Sequence, residues 1–348
     1  MFVALRELRA ARGRFALIST VVVLVAVLVT FLSGLTAGLR HQSVSVVESI
    51  DAEKLVFAQS DDGASFDESV LTSEQVSTWL RSGAGVTPIG ISRGKAGLDD
   101  GSGTAVALVG ADAGVGDRAP LTPGTVILSR GAAEAVRADV GDALTVGSQR
   151  YTVGAVRGDD WYSHTPVLWM TLSDWNTVDP RAGAATVLAV DHARDPATVD
   201  TAAGTVAMDK NQSLTAIGSF TSENGSLTLM TVLLFAISAL VIGAFFTVWT
   251  VQRTPDIATL KALGATSASL VRDAMGQALL VLLTGVAAGV AVTAIVGSAI
   301  GDAVPFVLTP STTVLPAAAM VGLGLLGAGV ALRFLFTTDP LTALGSTR

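Results

Sequence analysis

The stretch FALISTVVVLVAVLVTFLSGLTAGL, residues 15–39, decides the fold: it is 25 residues long and carries no charge. About 20 apolar residues cross the ~30 Å hydrocarbon core of a bilayer as a helix, so this run can span one. Three more stretches repeat the pattern. Leu227–Val251 is a second uncharged run of 25, Asp273 and Asp302 bracket 28 uncharged residues, and Ala303–Leu332 adds 30. Pro305, Pro310 and Pro316 interrupt the start of the last run, which places its helix from Thr312 onward. None of the four shows the polar stripe that a helix of a soluble core carries. Composition agrees: 50% hydrophobic and 15% charged residues, with a mean hydropathy of +0.58, lie outside the soluble range.

Arg6, Arg9, Arg12 and Arg14 form a basic leader such as precedes a cleaved signal. A signal core is only about 7–15 apolar residues, and here three further spans follow, so the first run reads as a retained helix.

Charge sets the orientation. The short polar pieces Met1–Arg14, Gln252–Asp273 and Arg333–Arg348 hold nine Lys/Arg and four Asp/Glu, whereas Arg40–Ser226 holds 13 Lys/Arg and 24 Asp/Glu. Basic residues in short flanking segments mark the cytoplasmic side. Both termini are therefore expected inside and the long segment outside, in a multi-pass protein of the plasma membrane. The expected fold class is an α-helical membrane protein with four transmembrane helices plus one α+β extracytoplasmic domain inserted between helices 1 and 2. Its spans are 15–39, 227–251, 274–301 and 312–332. Residues 1–14 form an amphipathic cytoplasmic segment, 252–273 a cytoplasmic loop, 302–311 a short outer loop and 333–348 a cytoplasmic tail. With no cysteine in the chain, the inserted domain has no disulfides and holds together by its own core.

Within 40–226, Val44, Val47 and Ile50 recur at helical spacing, which extends the first span to about residue 52. Strands are expected at Lys54–Ser60, Thr104–Gly110, Gly124–Leu128, Ala143–Val146, Tyr151–Val156, Val167–Thr171 and Ala185–Val190. Short helices are expected at Ser73–Arg81, with Ser73 as N-cap, and at Arg130–Asp139. The histidines are His41, His164 and His192. Asp191-His-Ala-Arg-Asp195 reads as a solvated turn, and Asp159-Asp-Trp-Tyr-Ser-His164 as a loop tucked in by its aromatics. No G-x-x-x-x-G-K-[ST] phosphate cradle and no H-E-x-x-H pair occurs, and no nucleophile–base pair can be assembled. The chain by itself does not read as an enzyme, and it has no nucleic-acid signature.

The loop Gln252-Arg-Thr-Pro-Asp-Ile-Ala-Thr-Leu-Lys-Ala-Leu-Gly-Ala-Thr-Ser267 reads as a short crosswise helix. Pro255 and Asp256 suit its first turn, Ile257, Leu260 and Leu263 line one side, Gly264 stops it, and Thr266 or Ser267 caps the next helix. Such a helix is either an amphipathic connector on the membrane or a plug for a groove in a cytoplasmic partner.

This loop resembles the coupling region of FtsX/MacB-type permeases of ABC transporters, a run similar to R-x-x-E-I-A-x-L-K/R-A-L-G-A. The matching residues are Arg253, Ile257, Ala258, Leu260, Lys261, Ala262, Leu263, Gly264 and Ala265; Asp256 stands where Glu is usual. Asp339-Pro-Leu-Thr-Ala-Leu-Gly345 is similar to the family's P-x-x-A-L close, and Gly124–Val156 resembles its extracytoplasmic domain. One span, a large domain and then three spans is the family's layout. The resemblance implies a homodimer working with two copies of a separate cytoplasmic ABC ATPase, which binds ATP and Mg. It places ATPase coupling at Arg253, Asp256, Ile257, Leu260, Lys261, Leu263 and Gly264.

Length and a compact inserted domain look most like the hemin-exporting, HrtB-type branch, so the implied function is efflux of heme from the outer leaflet. Heme is then cargo; no cofactor of the chain's own is expected. A planar apolar ring with two carboxylates needs an apolar slot and an iron ligand. Glu48, among valines on the extension of the first span, is the first candidate ligand to the iron, meeting its symmetry mate across a two-fold dimer. His41 is the conventional alternative, Arg40 a partner for a propionate, and Met230 a further ligand at similar depth. Two other readings of the same architecture are a mechanical regulator of cell-wall hydrolases, as in the cell-division member, and export of lipoproteins or peptides.

Overall fold

The computed structural model describes residues 12–98, 103–112, 121–180, 183–252, 259, 261, 263–301 and 304–332. The chain divides into two compact units, one comprising the membrane-type helices up to Gly38 and from Ser226 onward, the other Leu39–Gly225.

Four helices are long and apolar enough to cross a membrane: α1 (Arg12–Glu48), α7 (Gly218–Gln252), α8 (Ser267–Ile300) and α9 (Pro310–Leu332). Thr266 caps α8 by accepting from Ser269 N. At α9 the helix begins two residues ahead of the expected Thr312. Thr309 and Thr312 exchange side-chain to backbone hydrogen bonds, and Pro310 enters the first turn, where its missing N–H costs nothing.

The helices pack through small residues, as expected where lipid offers no hydrophobic drive for association. A Cβ on Gly289 of α8 would run into Ala26 and come within 3.0 Å of Val23 O, so backbone meets backbone there. One turn further along α8, the buried hydroxyls of Thr30 and Thr293 pair at 2.7 Å. Val22, Val29, Ile242, Phe246, Leu282, Val286 and Met320 complete this core.

The second unit is an α+β domain. Its strands are β1 (Lys54–Ala58), β2 (Gly85–Gly97), β3 (Thr104–Ala111), β4 (Thr125–Leu128), β5 (Ala143–Val146), β6 (Gln149–Val156), β7 (Trp161–Tyr162), β8 (Thr165–Met170), β9 (Val187–Asp191) and β10 (Thr205–Asp209). The helices are α2 (Ser73–Arg81), α3 (Arg130–Val136), α4 (Leu172–Val178), α5 (Pro196–Ala203) and the single turn α6 (Lys210–Ser213). Strand order is β10-β1-β9-β2-β3-β8-β4-β6-β5, and β5 returns to pair with β2. The pairs β3–β8 and β4–β6 are parallel and the remainder antiparallel.

The long strand β2 organises this sheet. Gly85–Ile89 pair with β9, Ile89–Ala96 with β3, and Ala96 and Gly97 with β5, so one strand closes a circuit and also carries the β9-β1-β10 extension. Gly90 and Gly110 face each other on β2 and β3, and a Cβ on either would collide with Trp175 of α4. That bare patch lets the buried indole lie on the sheet and donate to Ser92 Oγ at 3.0 Å. Successive residues of β3 serve opposite faces, as strand pleating requires: Val106 and Leu108 join Leu128, Leu144, Val153 and Trp175, while Ala107 and Val109 join Val44, Val47, Ile50 and Trp169.

Local chemistry explains α2. Its N-cap is Thr72 rather than the expected Ser73, because Gln75 completes a reciprocal capping box with Thr72.

Candidate functional site

The candidate site gathers on the last turns of α1, Leu39–Glu48, within the α+β unit. Val44, Val46, Val47 and Ile50 are fully buried in the domain core. This apolar face fixes the rotation of the helix end and leaves Arg40 and Glu48 half-exposed.

Arg40 Nη2 donates to Glu48 Oε1 at 2.6 Å, across eight residues of helix. Two turns are about 12 Å of rise, beyond the usual i,i+4 reach, so both side chains extend toward each other. The Arg40 guanidinium also lies over the Phe220 ring, its Cζ 5.4 Å from the centroid. Phe220 belongs to the first turn of α7 and is buried in the same core as the valines. Glu48 is the last residue of α1, where the negative end of the helix dipole disfavours a carboxylate. Fold stability therefore gives no reason for an acid there beyond its pairing with Arg40.

His41 Nε2 meets two acceptors, the Asp159 carbonyl at 2.8 Å and its carboxylate at 3.2 Å. A carbonyl can only accept, so Nε2 carries the proton, and of the ring nitrogens only Nδ1 is left for a ligand. Met230 stands on α7 in the other unit and is 56% exposed.

A hairpin turn locks the helix end in place. Ser163 and His164, between β7 and β8, both adopt left-handed φ, 48° and 61°, as a two-residue type I′ turn demands. Neither is glycine, and docking on α1 offsets the strain. Ser163 N donates to Ser43 O at 3.0 Å and His164 N to Gln42 O at 2.9 Å. Ser45 Oγ accepts from Trp161 N at 2.7 Å. The same turn grips α7: Ser163 Oγ donates to Ser219 Oγ at 2.9 Å, and His164 Nε2 sits 2.8 Å from Glu223 Oε2 and 3.1 Å from Ser43 Oγ. Behind it, Tyr162 donates to Asp67, which also accepts from Arg93. Burial, and then the Asp67 charge, push the Tyr162 hydroxyl well above its ordinary range.

The loop expected between Asp159 and His164 is thus a short hairpin, with Tyr162 buried in the core as its aromatics suggested. In the Asp191–Asp195 run, Asp191 accepts from Glu53 N and Asp195 caps α5. Among the described residues no group of three His, Asp or Glu could hold a bare metal ion. A single carboxylate such as Glu48 suits a metal that arrives already chelated.

Of the residues expected to couple to an ATPase, Arg253, Asp256, Ile257 and Leu260 lie outside the described residues. Gly264 has φ of +95° and its N–H bonds Lys261 O at 3.0 Å, a left-handed stop after the helical bond from Leu263 N to Thr259 O. Leu263 is 80% exposed.

Residues 228–340 match the family model described as FtsX-like permease C-terminal, a span that contains the coupling run. Over its whole length the chain is similar to proteins named as a hemin transport system permease protein, HrtB. It is 23% identical over 353 residues to that of Staphylococcus haemolyticus and 23% over 356 residues to that of Staphylococcus epidermidis, with 99% of each chain covered. The crystal structure of the periplasmic region of MacB from Actinobacillus actinomycetemcomitans shares 14% identity and a TM-score of 0.36, covering 48% of this chain and 92% of that one. The match over residues 228–340 agrees with the FtsX-type recognition read from the loop 252–267, and the full-length relatives with its hemin branch.

The sequence reading missed Phe220, Asp159 and Glu223. Phe220 stands in a serine- and threonine-rich stretch ahead of the second apolar run, with nothing local to pair it with Arg40.

Proposed function

We propose that this chain is the permease subunit of an ABC efflux system that exports heme, as a homodimer in the plasma membrane with both termini cytoplasmic. The carrying observation is the end-to-end likeness to permeases named for hemin transport, 99% of each chain. ATP is hydrolysed by two copies of a separate cytoplasmic ATPase, in keeping with the lack of a phosphate-cradling loop in this sequence. Arg253, Asp256, Ile257, Leu260, Lys261, Leu263 and Gly264 form the contact that relays ATPase closure to the spans.

Heme enters from lipid and binds at Glu48, with His41 and Arg40 as further contacts. Glu48 is the iron ligand in this reading. Its second oxygen accepts no hydrogen bond among the described residues, and heme brings four of the iron's ligands itself.

The test is hemin-stimulated ATP hydrolysis by the full permease reconstituted in lipid nanodiscs with its ATPase, beside growth of a deletion strain in hemin. Stimulation that Glu48→Ala removes, together with hemin sensitivity of the strain, is the expected result. A strain of normal hemin tolerance that grows as undivided chains would instead assign the protein to cell-wall regulation.

A further inference from the structure

The Arg40 guanidinium does two things at once. It takes one oxygen of Glu48 at 2.6 Å, and it lies over Phe220, leaving that ring 7% exposed. Both are weak holds. The ion pair joins side chains 46% and 44% exposed, where water screens most of the attraction, and a cation over an aromatic ring at such a site adds little more. Arg40 has five N–H donors, and its hydrogen bond to Glu48 is its only one among the described residues. Donors therefore stand ready for a second carboxylate.

Moving Arg40 aside would free two groups together: the Glu48 oxygen it holds, which completes a carboxylate able to ligate a metal, and the face of a phenyl ring set in the domain core. A flat aromatic macrocycle with a central metal uses both, stacking on the ring and ligating through the metal. It would also strand the guanidinium without its partner. A cargo that carries its own carboxylate supplies a replacement.

We propose that Arg40 is a cover exchanged by the cargo: a carboxylate of an incoming planar metal macrocycle takes Arg40 from Glu48, and this uncovers Glu48 as metal ligand and Phe220 as stacking face. The inference rests on the heme reading of Glu48 and adds Phe220 and a selection rule to it. The substrate class is metalloporphyrins with free carboxylates. A ligand shifts such an equilibrium only through its differential affinity for the open state, so an esterified porphyrin opens the cover poorly.

The test compares hemin with hemin dimethyl ester, which have the same ring and iron, by Soret titration of the full chain in nanodiscs. Wild type is expected to bind hemin about tenfold tighter, a step of about 1.4 kcal/mol. In Arg40→Ala the ratio falls to about one, because the diester gains affinity as hemin loses it. Phe220→Leu, which keeps the core filled, weakens both porphyrins by a similar factor and preserves their ratio. Discrimination unchanged in Arg40→Ala, or absent in wild type that binds both, overturns the exchange while leaving heme as cargo. Binding of neither porphyrin by wild type overturns the heme reading itself.

Discussion

Replacing Glu48 by glutamine separates a binding role from a structural one, because the same helix turn supplies a control. Glu48 is 44% exposed on its side chain and its one partner among the described residues, Arg40, is 46% exposed. Such a pair contributes about 0.2–1 kcal/mol. Against this, a carboxylate at the end of α1 opposes the helix dipole, and removing its charge returns about 0.3–1 kcal/mol. The two nearly cancel. For a domain of this size 1 kcal/mol moves Tm by about 2–4 °C, so Glu48→Gln is expected to stay within about 4 °C of wild type. Ile50, two residues on, is 1% exposed in the domain core, and Ile50→Ala should cost about 2–5 kcal/mol. Thermal unfolding of both variants in one detergent, with hemin titration of each, is the assay. The expected pattern is loss of hemin binding at unchanged Tm for Glu48→Gln, and lowered Tm for Ile50→Ala. A Glu48→Gln protein as destabilised as Ile50→Ala, or one whose hemin affinity stays within about twofold, refutes the reasoning.

Two further predictions concern the scaffold. Gly289→Leu forces apart the backbones of α1 and α8, since Val23 O and Val27 N lie within 3.1 Å of the added carbon and cannot rotate away. Overpacking of this kind costs about 1–3 kcal/mol, readable as a lower midpoint in detergent-induced unfolding. Tyr162 has its hydroxyl raised above the ordinary 10.0 by burial and by Asp67, so the folded state holds that proton more tightly than the unfolded state does. Its stabilising contribution is full below about pH 10 and is lost as pH climbs above it. Tyr162→Phe should therefore flatten the alkaline arm of the stability curve, measured as Tm between about pH 9 and 12; an unchanged slope would remove Tyr162 as its cause.

The spans were legible in the sequence because a bilayer asks only for length without charge, and residues 15–39 and 227–251 meet that demand with no help from their neighbours. Strands such as Thr104–Ala111 were legible too, since a strand buried on both faces reads as one short uninterrupted apolar run, here Val106–Ala111. The long strand β2 was not, because Pro88, Gly90 and Gly94 read as turn residues. Gly90 is there to make room for Trp175, which is 85 positions away. α4, α5 and β10 were missed for a similar reason: they are short, and tertiary contacts rather than their own patterns hold them. At the site, an acid among valines at Glu48 was visible as an anomaly. Its partner was not, because Arg40 reaches across two helical turns and local pairing rules stop at one. Nor were Phe220 beneath Arg40 or the His164 turn that grips both α1 and α7, since those contacts join residues 56 to 180 positions apart. Covalent order and hydrophobicity alone determined four membrane-type helices with a folded insert between the first two. Which side chains meet at the end of α1 was decided only when that helix turned its valine face into the domain core and left Arg40 lying across Glu48 and Phe220.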